Sequence, residues 1–158
     1  MTGASGRRRF SSGGPYEARF GYSRALRTGD RILVSGCTSL LDGLVRHPGD
    51  AAAQMRAALE TAIEAVTALG GSAGDVVSTR IYVVNRCDCE PVGVVHGERF
   101  ARVRPAASMV LVAGLIDEAM LVEVELEAYI GTAEPADPVD PVDPADPVDR
   151  GVRRGPRR

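Results

Sequence analysis

Three acids, Glu123, Glu125 and Glu127, alternate with Val122, Val124, Leu126 and Ala128 near the end of the folded part of this chain. Side chains alternate along a strand, so the three carboxylates share one face and the apolar residues the other. Such a row is either a solvated sheet face or one wall of a pocket. A carboxylate in a partly buried wall has its pKa pushed up and can accept and return a proton from water. A second cluster, Cys87-Asp88-Cys89 with His96 nearby, lacks the second pair of ligands that a structural zinc site requires, so it is expected to be ordinary packing. Cys37, Cys87 and Cys89 form no even disulfide framework and are expected to be thiols in a reducing compartment.

The elements that must position these groups are legible in the periodicity. Ser23 to Arg27 and Arg31 to Ser35 read as two strands closed by Thr28-Gly29-Asp30. Leu40 to Gly49 reads as a loop. Asp50 caps a helix whose apolar positions Met55, Leu59, Ala62, Ile63, Val66 and Leu69 follow helical spacing up to Gly70-Gly71. Val76 to Val84 is a β-branched strand, about Glu90 to Val103 a second helix stopped by Arg104-Pro105, and Ala107 to Val112 and Leu121 to Tyr129 the closing strands. The order β-β-α-β-α-β-β predicts an α+β sandwich, a mixed sheet with two helices on one face. The strands around Ile32, Ile81 and Met109 are apolar at both parities, which predicts that a partner chain covers the face the helices leave open.

Composition bounds the rest. The 158 residues, 44% of them apolar, suit one domain at about residues 15 to 131. Residues 1 to 14, rich in Gly, Ser and Arg, are expected to be disordered. So is the tail from 132 to 158, whose Asp-Pro-Val/Ala triplets have the period of polyproline II and whose end is basic. A formal charge of −2 argues against nucleic acid and against an anionic membrane as partners. All 19 basic residues are Arg. With neither a signal-peptide core nor an apolar run long enough to span a bilayer, the protein is expected to be cytoplasmic.

Five ordered segments resemble the YjgF/RidA family, small homotrimeric proteins whose best-known members hydrolyse reactive enamines and imines. They are Gly21-Tyr22-Ser23-Arg24-Ala25, Val34-Ser35-Gly36, Ala53-Gln54-Met55-Arg56-Ala57-Ala58-Leu59, Asp75 to Val83, and Leu121-Val122-Glu123-Val124-Glu125. The resemblance implies a chorismate-mutase-like fold, a homotrimer with pockets between subunits, a small-molecule ligand, and no cofactor or metal. It places Glu123 at the carboxylate that holds the hydrolytic water, Tyr22 at the pocket tyrosine, and Ser35 and Gly36 at the strand end lining the pocket. Met109 stands where many members carry Cys. The chain departs from the family at Ala107, where an arginine clamps the carboxylate of a 2-imino acid. Alanine cannot do this. Arg24, Arg80 and Arg104 are each expected on the solvated surface, though any of them could supply a displaced positive charge. The resemblance therefore implies a deaminase-like hydrolase for a small imine, enamine or carbonyl metabolite other than a typical 2-imino acid; the alternative is a non-catalytic small-molecule-binding or regulatory trimer of the same fold. An older family label, endoribonuclease, is disfavoured by the charge balance.

Overall fold

The computed structural model describes residues 6 to 131. In chain order the elements are β1 (Arg8–Phe10), α1 (Pro15–Phe20), β2 (Ala25–Thr28), β3 (Arg31–Cys37), β4 (Leu40–Leu41), β5 (Leu44–Val45), α2 (Ala51–Ala68), β6 (Val76–Val83), α3 (Cys89–Phe100), β7 (Ala106–Leu111) and β8 (Val122–Tyr129). Six strands form one mixed sheet in the order β1-β2-β3-β8-β6-β7, with β6 and β7 parallel across the α3 crossover and the other neighbours antiparallel. The expected β-β-α-β-α-β-β frame is present, with α2 and α3 on one face. Onto it are added β1, α1 and the β4–β5 hairpin.

Local chemistry explains the frame. Asp50 accepts a hydrogen bond from the Ala53 amide at 2.9 Å, satisfying one of the unpaired donors at the start of α2. Gly70, at φ +90°, lets the chain leave the other end. The helix buries Met55, Leu59, Ala62 and Val66 against Ile32, Val34, Val124 and Leu126 of the sheet. β2 and β3 are joined by Gly29-Asp30, since Thr28 pairs with Arg31.

Four expectations need correction. The segment before residue 15 is not wholly unstructured: β1 pairs with β2, and Phe10 packs against the core, so the described part is ordered from Arg8. Leu40 to Gly49 is not all loop, because Asp42 and Gly43 both take positive φ and close a two-residue hairpin. α3 ends at Phe100 and not at Val103, because the amides of Val103 and Arg104 both turn back to the Phe100 carbonyl and Arg104 is left-handed at φ +49°. The open sheet face is not uniformly apolar either: Leu33 and Tyr82 lie among Arg80, Glu123, Glu125 and Glu127. Continuous exposed apolar surface is instead concentrated on edge strand β7, all six residues of which are exposed. The expected tail from 132 onward lies outside the described residues. Among those described, no helix is long and apolar enough to cross a membrane.

Candidate functional site

In β8 the apolar residues Val122, Val124, Leu126 and Ala128 are buried, while Glu123, Glu125 and Glu127 are half-buried on the other side. Partners then separate the three acids. Glu127 accepts from Arg31 Nε at 2.6 Å, and Glu125 accepts from the Tyr82 hydroxyl at 2.8 Å with Arg80 at 4.0 Å. Glu123 is turned into a cleft of about 830 Å³ whose wall it shares with Tyr22, Arg24 and Cys37. Burial pushes the Glu123 carboxyl above its ordinary value, the neighbouring charge of Glu125 adds to this, and Arg24 opposes it.

The β3–β8 register explains how Glu123 gets there. Val34 pairs with Leu126 but Cys37 with Val124, so Ser35 and Gly36 together oppose the single residue Glu125. This bulge re-aims the strand beside the carboxylate. A Cβ built on Gly36 would lie 2.7 Å from Glu123 Cδ, so the missing side chain is what leaves room for the acid. The Ser35 hydroxyl donates to the Ser23 carbonyl at 2.9 Å and ties the bulge to β2; it is not among the residues lining the cleft.

Arg24 contradicts the expectation of a solvated surface residue. It is 9% exposed, and its guanidinium donates through Nη1 to the Gly36 carbonyl and through Nη2 to the Tyr22 hydroxyl at 3.3 Å, with Cys37 Sγ 3.6 Å from Nη1. Glu17 of α1 lies 3.7 Å from Nε. Burial raises the Glu17 carboxyl, but hydrogen bonds from Ser11 at 2.5 Å and Ser12 at 2.6 Å, with the charge of Arg24, hold it below its ordinary value overall. Sequence reasoning missed this pair because its acid sits at the edge of a segment read as disordered. The usable signal was Pro15 opening a short helix with Ser11 and Ser12 just upstream of Glu17. Arg80 and Arg104 are exposed, as expected. Cys37 is buried, and its thiol is pushed up to about 11 by that burial, so it does not act as a nucleophile near neutrality.

Ala107 and Met109 are not brought together with these residues in one chain. They lie on β7 opposite Thr79 and Ile81 of β6, whereas Glu123 lies opposite Tyr82 on the far side of β6. The exposed Cys87, the half-buried Cys89 and His96 do not converge as a ligand set; His96 Nε2 instead bonds Thr79 Oγ1 at 2.9 Å.

The raised pKa of Glu123 has a stability consequence with a definite sign. Between the ordinary glutamate value and the raised one, the native state holds a proton that the unfolded chain releases, so this residue's contribution to stability falls as pH rises through that window. Glu123→Gln removes the charge that burial penalises. Its melting temperature is expected to exceed wild type at pH 8 and to match it at pH 4; equal melting curves at both pH values would show that the carboxyl is unperturbed.

The Endoribonuclease L-PSP family model matches residues 15–130. A crystal structure of a Mycobacterium tuberculosis protein, described as a member of the YjgF/YER057c/UK114 family, is 42% identical and superposes with a TM-score of 0.72, covering 79% of this chain and 100% of that one. An uncharacterised protein of Streptomyces coelicolor is 39% identical over 127 residues, which is 80% of this chain and 95% of its own length. A protein of Acinetobacter baylyi named 3-aminoacrylate deaminase RutC is 34% identical over 110 residues, 69% of this chain and 86% of its own length.

Proposed function

We propose, since the chain belongs to the YjgF/RidA family of endoribonuclease L-PSP-like proteins, that its cleft hydrolyses a small imine or enamine to a carbonyl compound and an amine. The observation that carries this reading is Glu123, a half-buried carboxyl with a raised pKa, seated over Gly36 in a cleft that also holds Tyr22 and Arg24. Water adds to the C=N carbon as Glu123 takes one of its protons. Glu123 returns that proton to the nitrogen, and the C–N bond of the resulting carbinolamine breaks as its remaining hydroxyl proton passes to the departing amine. An enamine first takes a proton at its β-carbon to become the imine. Tyr22, its hydroxyl held by Arg24, is placed to donate to the adduct, and the chemistry calls on no cofactor. A relative named for deamination of 3-aminoacrylate supports the reaction class. Ala107 argues that the substrate here is not a typical 2-imino acid.

Assembly belongs to the same reading. Edge strand β7 carries Met109, Val110 and Leu111, each between 36% and 42% exposed, with no charge along Ala106–Leu111. An unprotected apolar edge of this kind needs cover. We take that cover to be two further copies of the chain in a closed ring, whose β7 surfaces would bring Ala107 and Met109 to a neighbour's cleft.

The test is release of ammonia or amine, and of carbonyl product, from a panel of generated imines. Wild type is expected to accelerate at least one of them by roughly 100-fold over buffer, and Glu123→Ala to lose most of that gain. No turnover across the panel, with the cleft still binding ligands, would favour the binding-protein reading instead.

A further inference from the structure

We propose that the β1–α1 segment, through Glu17, makes the cleft select uncharged or cationic ligands with an apolar body and reject carboxylates. This rests on the hydrolase reading for the reaction but not for the ligand class. Arg24 is the one basic residue among those lining the cleft, against three acids, Asp42, Glu64 and Glu123. Its charge is already matched. Three of its five N–H groups are spent on Gly36, Cys37 and Tyr22, and of the two that remain the Nε–H is buried without a hydrogen-bond acceptor and faces Glu17 at 3.7 Å. An incoming carboxylate would meet a guanidinium already faced by the Glu17 carboxylate and a cleft with excess negative charge, whereas a bidentate clamp needs two parallel donors free of a competing acid.

Glu17 is held in place by the segment that carries it: Ser11 and Ser12 donate to its two oxygens, and Ser11 lies upstream of the residues the family model matches. The same segment supplies the apolar wall. Phe10, Tyr16 and Phe20 line the cleft, the last two stacked with centroids 5.5 Å apart, and Met120 and Ile116 contribute from the β7–β8 connection. An acidic cleft with an aromatic side suits an iminium cation, whose carbon, activated by the proton on nitrogen, is also the one most readily attacked by water. The substrate class is therefore an imine derived from an amine that bears no carboxylate.

Three probes with one body and different heads test this by calorimetry: cyclohexylamine, cyclohexanone and cyclohexanecarboxylate. Wild type is expected to bind the amine and the ketone at least roughly tenfold more tightly than the carboxylate, and Glu17→Gln to tighten the carboxylate by roughly tenfold while leaving the ketone unchanged. Should Glu17→Gln fail to melt cooperatively, Asp42→Asn and Glu64→Gln change exposed residues of the same cleft, and the amine's advantage must shrink in each. A carboxylate that binds wild type most tightly, or charge-removing variants that leave the order untouched, would overturn the proposal. The stated order without turnover of any imine would remove the hydrolase reading and leave the ligand class standing.

Discussion

Gly36→Ala is expected to fold and melt like wild type yet lose imine turnover by roughly 100-fold or more, a barrier increase of about 2.7 kcal/mol. The three heavy atoms nearest the new methyl group all belong to Glu123, whose carboxyl group lies where the Cβ would be built. Gly36 is absent from the positive-φ glycines, so alanine is not strained there by the backbone. The obstacle is thus the far end of a flexible side chain, which can swing away at little cost to stability. Swinging away takes the carboxylate from the position at which the proposed reaction has it hold water, and displacement of a reacting group by about 1 Å can cost about 100-fold. Turnover retained in a folded Gly36→Ala would show that Glu123 is not the water-holding group, even though the fold and the cleft remain. A collapse in melting temperature would instead show that the bulge cannot accept a side chain, and Glu123→Ala would then be the cleaner probe of the same carboxylate.

What was legible in the sequence follows from how local each signal is. Helix α2 announces itself through apolar residues at helical spacing, an acidic cap and a terminal glycine, all contained within about twenty residues. Strand β8 is equally local, and its alternation correctly separated Val122, Val124, Leu126 and Ala128 from the three glutamates. The site is less local. The alternation of Glu123-Val124-Glu125-Leu126-Glu127 alone does not say which acid faces a cleft; the family resemblance pointed to Glu123, and in the structure Arg31 from β3 and Tyr82 from β6 occupy the other two. Arg24 is harder still. Its burial depends on a carbonyl exposed by the bulge at Ser35-Gly36 and on Glu17 from an added helix, so a strand residue that looks solvated by composition becomes the centre of a buried network. The Asp42-Gly43 hairpin has turn residues of the right type, but flanking strands of two residues each carry no alternation that would mark them as strands. The apolar parities of β3, β6 and β7 pointed to an uncovered surface, but its most exposed part is the β7 edge and not the face, because β8 inserts its glutamates into the middle of that face.

Ala107→Arg is expected to raise kcat/KM for 2-iminopropanoate by roughly 10- to 100-fold over a wild type that barely accelerates its hydrolysis, because a guanidinium would then fix the carboxylate beside the water held by Glu123. Adding Glu123→Ala in the same chain should abolish the gain, since clamp and water-holder act as one unit and their effects do not add. The geometry adds a condition that makes the result diagnostic of assembly. Ala107 of β7 pairs with Thr79 and Glu123 of β8 pairs with Tyr82, both on the β6 strand that separates them, a displacement of roughly 14 Å by strand spacing and rise. They also face opposite ways: Met109, on the same side of β7 as Ala107, packs toward Gly93 of α3, while Glu123 lies on the face away from the helices. An arginine at 107 is therefore out of reach of its own chain's Glu123, and on the proposed assembly it serves a neighbour's cleft. Light scattering should accordingly report about three chains per particle. Chains carrying both Ala107→Arg and Glu123→Ala, inactive alone, should regain activity when co-assembled with wild-type chains, because some clefts then combine a wild-type Glu123 with an arginine from next door. A monomer in solution, or an Ala107→Arg gain that survives in a monomer, would remove the shared pocket. An intact trimer with no gain and no complementation would place the carboxylate-binding position elsewhere than residue 107.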